Sequence, residues 1–350
     1  MMSIPLQVRA QAVALRAAFA LPRPLRRLLA GPPVQRDGQE LALDAQLLLR
    51  LMRIAGTRIV VDGNVDASRA GLDLSRHLVS GPVIGRVAAQ EIRIPVEHGR
   101  LAATLYTPEG LATPSGLLVF YHGGGWVIGS RLSHDNTARF LAQQAGVQVL
   151  SVEYRQPPEH IFPAAVEDAL AAFDHAHDHA VDLGADPARI AVGGDSAGGN
   201  IAAVTAQLAT RRGGPAPAFQ LLLYPATDVS RRSHSRDSFA DGFFLTGKDM
   251  DWFADHYAPA GVDRADPRMS PLLTDDLSGL PSAYIGTAGF DPLRDDGEDY
   301  AEALTKAGVP TTLSRQPDLI HGYANFLGIG HRFREATLEA AKALRTALSE

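Results

Sequence analysis

The chain contains no cysteine. Disulfides, thiolate nucleophiles, iron–sulfur clusters and thiolate-bound zinc are thereby excluded, and covalent catalysis must use another side chain. Acidic residues are missing from the start of the chain, where the first 36 residues hold six Arg and no Asp or Glu. Arg9, Arg16, Arg23, Arg26 and Arg27 interrupt every apolar run there, so the segment fits neither a secretory signal nor a transmembrane segment. A basic excess is missing too: 33 Lys plus Arg stand against 39 Asp plus Glu, a net charge of −6 that offers no global attraction to nucleic acid. No internal repeat is evident. A cytoplasmic chain with no nucleic-acid partner is expected, and self-association into a homo-oligomer stays open.

What is present is enough for a large core. The 350 residues are 45% hydrophobic, and a compact chain of this size hides about 75% of its extended surface. Length admits two domains or one core with an addition. Val8 to Ala20 predicts a helix with a basic face, ended by Pro22 and Pro24; it reads as a packed surface or lid helix, with membrane-surface attachment as the sharper alternative. Leu41 to Ile54 predicts a second helix, followed by a polar connector through Gly71. Residues 1–85 thus read as a helical region structurally separate from the rest.

From Glu91 onward the pattern changes. Glu91 to Val96 and Leu101 to Thr107 predict an antiparallel pair, because the turn between them is too short for a crossover. Strands at Leu117 to Tyr121, Val147 to Val152, Ile190 to Gly193, Phe219 to Tyr224, Ala283 to Thr287 and Thr311 to Arg315 then alternate with helices at Thr137 to Gln144, Ala164 to His175, Gly199 to Thr210, Asp295 to Ala307 and His331 to Leu348. That alternation predicts an α/β core over residues 86–350, a mostly parallel sheet flanked by helices. Residues 228–280 break the rhythm with a helix near Lys248 to Tyr257 and read as part of a cap or pocket rim.

The strongest local signal is Gly194-Asp195-Ser196-Ala197-Gly198, set between a strand and a helix. A sharp strand-to-helix turn with small residues at both ends would expose Ser196 Oγ as a nucleophile. Serine needs a base and a carboxylate that fixes the base's tautomer. His321, after the last strand, and Asp291, after the strand before it, supply them in the order Ser196, Asp291, His321. Asp318 is the rival acid, read as loop polarity. His122-Gly123-Gly124-Gly125-Trp126 follows a strand without a phosphate-loop lysine or a dinucleotide pattern, so its N–H groups suit an oxyanion. Gly123, Gly124 and Ala197 are assigned to that hole. His122 reads as shaping the loop, Asp195 as supporting it or only stabilising its turn, and Trp126 as a cleft wall or core residue. His175, His177 and His179 alternate around a helix and make a poor metal set, and Arg231, Arg232 and Arg236 read as a hydrated basic loop. Neither metal nor cofactor is expected.

These motifs, with Asp291-Pro292-Leu293 and His321-Gly322-Tyr323, resemble the bacterial hormone-sensitive-lipase-like esterase family from about residue 85 to the C-terminus. Val152 to Arg155 and Phe162 to Ala165 resemble its connector after a core strand, although Pro157 replaces the family's usual alanine. The resemblance implies an α/β-hydrolase fold with a helical cap, acting as a serine carboxylic-ester hydrolase on short- to medium-chain acyl esters, with a small-molecule ester and water as partners. An amidase or peptidase with the same three residues, and a noncatalytic receptor on the same scaffold, are the competing readings.

Overall fold

The computed structural model describes residues 5–349. Helices α1 (Leu6–Ala20) and α2 (Arg23–Ala30) lead into a small antiparallel pair, β1 (Gln35–Arg36) and β2 (Gln39–Glu40), and then α3 (Leu43–Ala55) and α4 (Val65–Val79). Helix α1 ends at Ala20, as expected, and the prolines that follow open a second helix. Pro22 precedes α2 and Pro24 lies in its first turn, where a missing N–H costs nothing. The expected connector through Gly71 becomes helix from Val65, because the Asn64 side chain caps α4 by accepting from Ala67 N–H at 2.8 Å. Asp66 in the first turn and Arg76 and His77 in the last complement its dipole.

The core then runs β3 (Val87–Val96), β4 (Gly99–Pro108), β5 (Ser115–Tyr121), α5 (Asp135–Ala145), β6 (Gln148–Glu153), α6 (Ala164–Asp178), β7 (Ala185–Asp195), α7 (Ala197–Arg211) and β8 (Phe219–Leu223). After α8 (His234–Ser238) and α9 (Gly247–Tyr257) it closes with β9 (Ala283–Phe290), α10 (Arg294–Lys306), β10 (Thr311–Ile320) and α11 (Arg332–Ser349). Eight strands form one sheet in the order β10-β9-β8-β7-β5-β6-β4-β3. From β10 to β6 all pairs are parallel, while β4 pairs antiparallel with both β6 and β3. Every residue of β5, β8 and β9 is buried, as expected where helices cover both faces. One face packs on α6, α7 and α10 and the other on α5 and α11.

The N-terminal helices are bonded into this core rather than standing apart from it. Asp44, in the first turn of α3, takes Arg26 of α2 on one carboxylate oxygen. Its other oxygen accepts from His331 N–H at 3.0 Å and Arg332 N–H at 3.4 Å, capping the start of α11 from a distant element. Asp37 pairs with Arg294 at 2.6 Å, and Arg69 donates to Val127 O at 2.9 Å and to Glu159 at 2.8 Å. Arg236 departs from the hydrated loop expected for it, since it turns inward to the buried Asp296 at 3.1 Å.

Because Asp44 is buried and satisfies three elements at once, Asp44→Ala should lower the unfolding free energy by about 2 kcal/mol. A urea titration checks this, and an unchanged midpoint would refute it.

Candidate active site

Four chain reversals meet at one edge of the sheet. Ser196 follows the end of β7, the Gly123 loop follows β5, Asp291 follows β9 and His321 follows β10. All four are the carboxyl ends of parallel strands, the edge at which an open α/β sheet collects its functional groups. Ser196 sits at φ 57° and ψ −120°, a conformation costly for a side chain with a Cβ and maintained by its surroundings. Its N–H donates to Leu223 O at 2.8 Å, locking the turn to the neighbouring strand. Gly198 is small for a reason of space: a Cβ there would run into Tyr121 O, so the start of α7 can approach β5 only without one.

The three polar groups singled out in the sequence come together. His321 Nε2 lies 2.9 Å from Ser196 Oγ, and His321 Nδ1 lies 2.8 Å from Asp291 Oδ2. The second Asp291 oxygen accepts from Leu293 N–H at 2.8 Å, which fixes the carboxylate's orientation. Tyr224 packs edge-on against the His321 ring at 4.8 Å between centroids. Asp318 is elsewhere. It lies in the irregular stretch of β10 between Gln316 and Ile320, where Arg332 donates to its carboxylate at 2.7 Å.

The glycine loop differs from the expectation in one donor. Gly123 N–H is committed to Asp195 Oδ1 at 2.9 Å and is not free for an oxyanion. Gly124 and Gly125 donate to no acceptor among the described residues, and Ala197, first residue of α7, has the unsatisfied N–H of a helix start. Gly124 holds φ 123°, with Ile128 O where a Cβ would stand, so the loop's path requires glycine there. His122 is fully buried, its Nδ1 2.9 Å from Gly123 O and its ring stacked on Tyr154 at 4.3 Å. Burial holds its pKa below the ordinary histidine value, which keeps it neutral.

Asp195 is the hub behind Ser196. Besides Gly123 N–H, its carboxylate accepts from Asn325 Nδ2 at 3.0 Å and Tyr224 OH at 3.4 Å, and His134 Nε2 lies 3.3 Å away. Burial pushes the Asp195 pKa up, but the His134 charge and the hydrogen bonds from His134, Asn325 and Gly123 outweigh it and hold it below the ordinary range. Burial likewise pushes His134 down, and Asp195 reverses that to leave it above 6.5. Each group thus favours the charged form of the other. Neither His134 nor Asn325 belongs to a motif, and sequence reading missed both; only their burial beside Asp195 reveals them.

A cavity of about 700 Å³ opens over these groups. Its walls are largely apolar, with Leu15 of α1, Leu48 of α3, Leu72 of α4, and Phe244 and Phe253 from the segment before β9. Phe239, from the same segment, is wholly in the core, against Phe243 and Phe290. Trp126 lines the cavity and stacks on Tyr257 at 4.7 Å, serving as wall and core at once.

The sequence pattern described as the alpha/beta hydrolase fold matches residues 118–325. The chain belongs to this family. A carboxylic ester hydrolase of Mycobacterium tuberculosis, LipN, is 48% identical over 338 residues, 94% of this chain and 89% of that protein. A carboxylesterase from the same organism, NlhH, is 47% identical over 248 residues, 70% of this chain and 77% of its own length. Among solved structures, an ester hydrolase from the metagenome of Lake Arreo superposes with a TM-score of 0.81 at 42% identity, covering 87% of this chain and 98% of that one. A thermostable esterase from Pseudomonas putida gives 0.85 at 33% identity, with 90% and 99% covered. The enzyme is a serine hydrolase of the carboxylesterase type, related to the bacterial hormone-sensitive-lipase-like esterases.

The buried pair sets a pH dependence of stability. A raised His134 pKa contributes stability that is complete below 6.5 and lost as pH rises through the folded value, whereas the lowered Asp195 pKa contributes above 3.8 and is lost as pH falls through its folded value. His134→Gln should therefore cost about 3 kcal/mol near pH 6, with the gap to wild type narrowing on the alkaline side. Urea unfolding between about pH 5 and pH 9 measures it; a gap independent of pH would contradict the pairing.

Proposed function

We propose that the enzyme hydrolyses carboxylic esters of short to medium acyl chains through an acyl-enzyme on Ser196. The observation that carries this reading is the relay of Ser196, His321 and Asp291, at 2.9 and 2.8 Å, on the wall of an apolar cavity. As Oγ attacks the ester carbonyl carbon, His321 Nε2 takes the Ser196 proton. The new oxyanion accepts from the free N–H groups of Gly124, Gly125 and Ala197, and α7 adds the positive end of its dipole. His321 then returns the proton to the ester oxygen, the carbon–oxygen bond breaks and the alcohol leaves.

In the second half a water gives its proton to His321 and its oxygen attacks the acyl carbon. His321 reprotonates Ser196 Oγ as the carboxylic acid departs. Asp291 keeps Nδ1 protonated and the ring aligned throughout, stabilising the imidazolium as it forms. Residues 5–85 act as the cap and residues 228–280 as a rim, a reading supported by the presence of both among the cavity walls. A volume of about 700 Å³ lies within the range of small-ligand pockets and suits acyl chains of modest length. Among the described residues no helix is long and apolar enough to cross a membrane. We place the activity in the cytoplasm, with water and a small-molecule ester as partners and no cofactor.

A series of esters of increasing acyl length, run beside matched amides, tests substrate class. Turnover should peak at short to medium chains, and amides faster by an order of magnitude would overturn the reading. Ser196→Ala should abolish acylation while leaving the unfolding curve in place; persistent acylation would reject the nucleophile. Asp291→Asn should lower kcat by about 10³- to 10⁴-fold, whereas Asp318→Asn, which breaks a contact with Arg332, should leave kcat nearly intact. Steady-state kinetics of the two variants distinguish the acids.

A further inference from the structure

Helix α2 is amphipathic in the wrong sense for a helix at the surface of a globular protein. Its sequence places Leu25, Leu28 and Leu29 within roughly 100° of one another around the helix, with Arg26, Arg27 and Ala30 on the opposite side. The leucines face outward, Leu28 being 78% exposed, while Ala30 is buried. The arginines turn inward: Arg26 pairs with Asp44 and Arg27 donates to Gln46 Oε1 at 2.9 Å. A helix stabilised only by the core would invert this arrangement.

Helix α1 repeats the pattern. Gln11, Ala14, Leu15 and Ala18 line the cavity. The opposite stripe carries Leu6, 82% exposed, and Val13, with Ala10, Ala17 and Ala20 exposed beside them. Arg9 and Arg16 flank that stripe at the same seven-residue spacing, and neither forms an ion pair among the described residues; nor does Arg23 at the start of α2. Of the thirteen large hydrophobic side chains left exposed among the described residues, five lie in α1 and α2. No acidic residue occurs before Asp37 to offset the cations.

We infer that the outward faces of α1 and α2 form a docking surface for an anionic phospholipid bilayer. Exposed leucines would enter the headgroup boundary while the guanidinium groups of Arg9, Arg16 and Arg23 reach lipid phosphates, the division of labour of an interfacial helix. Charge decides against a second copy of the chain. A two-fold interface sets the same patch against itself, which would bring six unpaired arginines together without a carboxylate between them. Docking through the outer stripe of α1 leaves its inner stripe over the cavity, so the bound enzyme faces a source of lipid-derived esters.

Vesicle sedimentation of the full chain tests the surface, with Ser196→Ala used so that no lipid is hydrolysed. Binding to phosphatidylcholine vesicles containing about one third phosphatidylglycerol should exceed binding to phosphatidylcholine alone by about tenfold and fall away at about 0.5 M salt. The combined Leu25→Ser, Leu28→Ser, Leu29→Ser variant should lose about tenfold in binding, as should the combined Arg9→Gln, Arg16→Gln, Arg23→Gln variant. In the otherwise wild-type enzyme both sets should turn over a soluble short-chain ester at the wild-type rate, which excludes misfolding. Equal binding to neutral and anionic vesicles, or leucine variants that bind undiminished, would overturn the proposal. So would a dimer in sedimentation velocity that the leucine variant dissociates, in a protein that ignores vesicles. Docking needs no turnover, so a wild-type enzyme inactive on every ester would count against the proposed reaction and leave this result standing.

Discussion

The carboxylate of Asp195 is the constraint on which the catalytic edge depends. It is buried immediately before Ser196 and holds the glycine loop through Gly123, the start of α5 through His134, and the turn after His321 through Asn325. Three loops from distant parts of the chain are thereby set against one another by a single group. An isolated buried carboxylate would be costly, and the partners that remove the cost are the elements that must be positioned. The same bond decides which glycine N–H groups are left for a substrate oxygen. The loop N–H groups left without an acceptor lie one residue further along, at Gly124 and Gly125, because that of Gly123 is consumed in holding the loop in place.

Around that centre, close approach is the recurring device. α7 can lie against β5 because Gly198 has no side chain, and the loop can fold under Ile128 because Gly124 adopts a positive φ. The cap closes the opposite side of the cavity with larger apolar residues; Leu41, Ala45 and Leu48 join the same buried cluster as Phe326 and Phe333, and polar ties add to that packing. Asp44 reaching to the N-terminus of α11 and Arg69 reaching to Glu159 are of this kind.

Much of the fold was legible in the sequence because its signals are local. A buried parallel strand is a short apolar run, and the elbow needs small residues on either side of Ser196. The errors fell where local signals conflict. Gly71 and the charges around it obscured α4, although Asn64, Asp66 and Arg76 are the cap and charge pattern of a helix. Pro22 and Pro24 end α1 as read, but the same residues open α2, for which the short Arg23–Ala30 stretch gives little periodic signal. The outward leucines of α2 escaped notice because periodicity shows that a helix has two faces without showing which one meets the core.

The sequence by itself determined the class of protein: a mostly parallel α/β sheet, a serine at a sharp turn, and a histidine and carboxylate on later strand ends. These follow from side-chain chemistry and from strand-to-helix spacing, both properties of neighbouring residues. Tertiary structure alone decided that Gly123 N–H is spent on Asp195 and that His134 and Asn325 complete the hub. Each of these is a pairing across tens to hundreds of residues, settled by which strand ends lie side by side and which buried polar groups can satisfy one another.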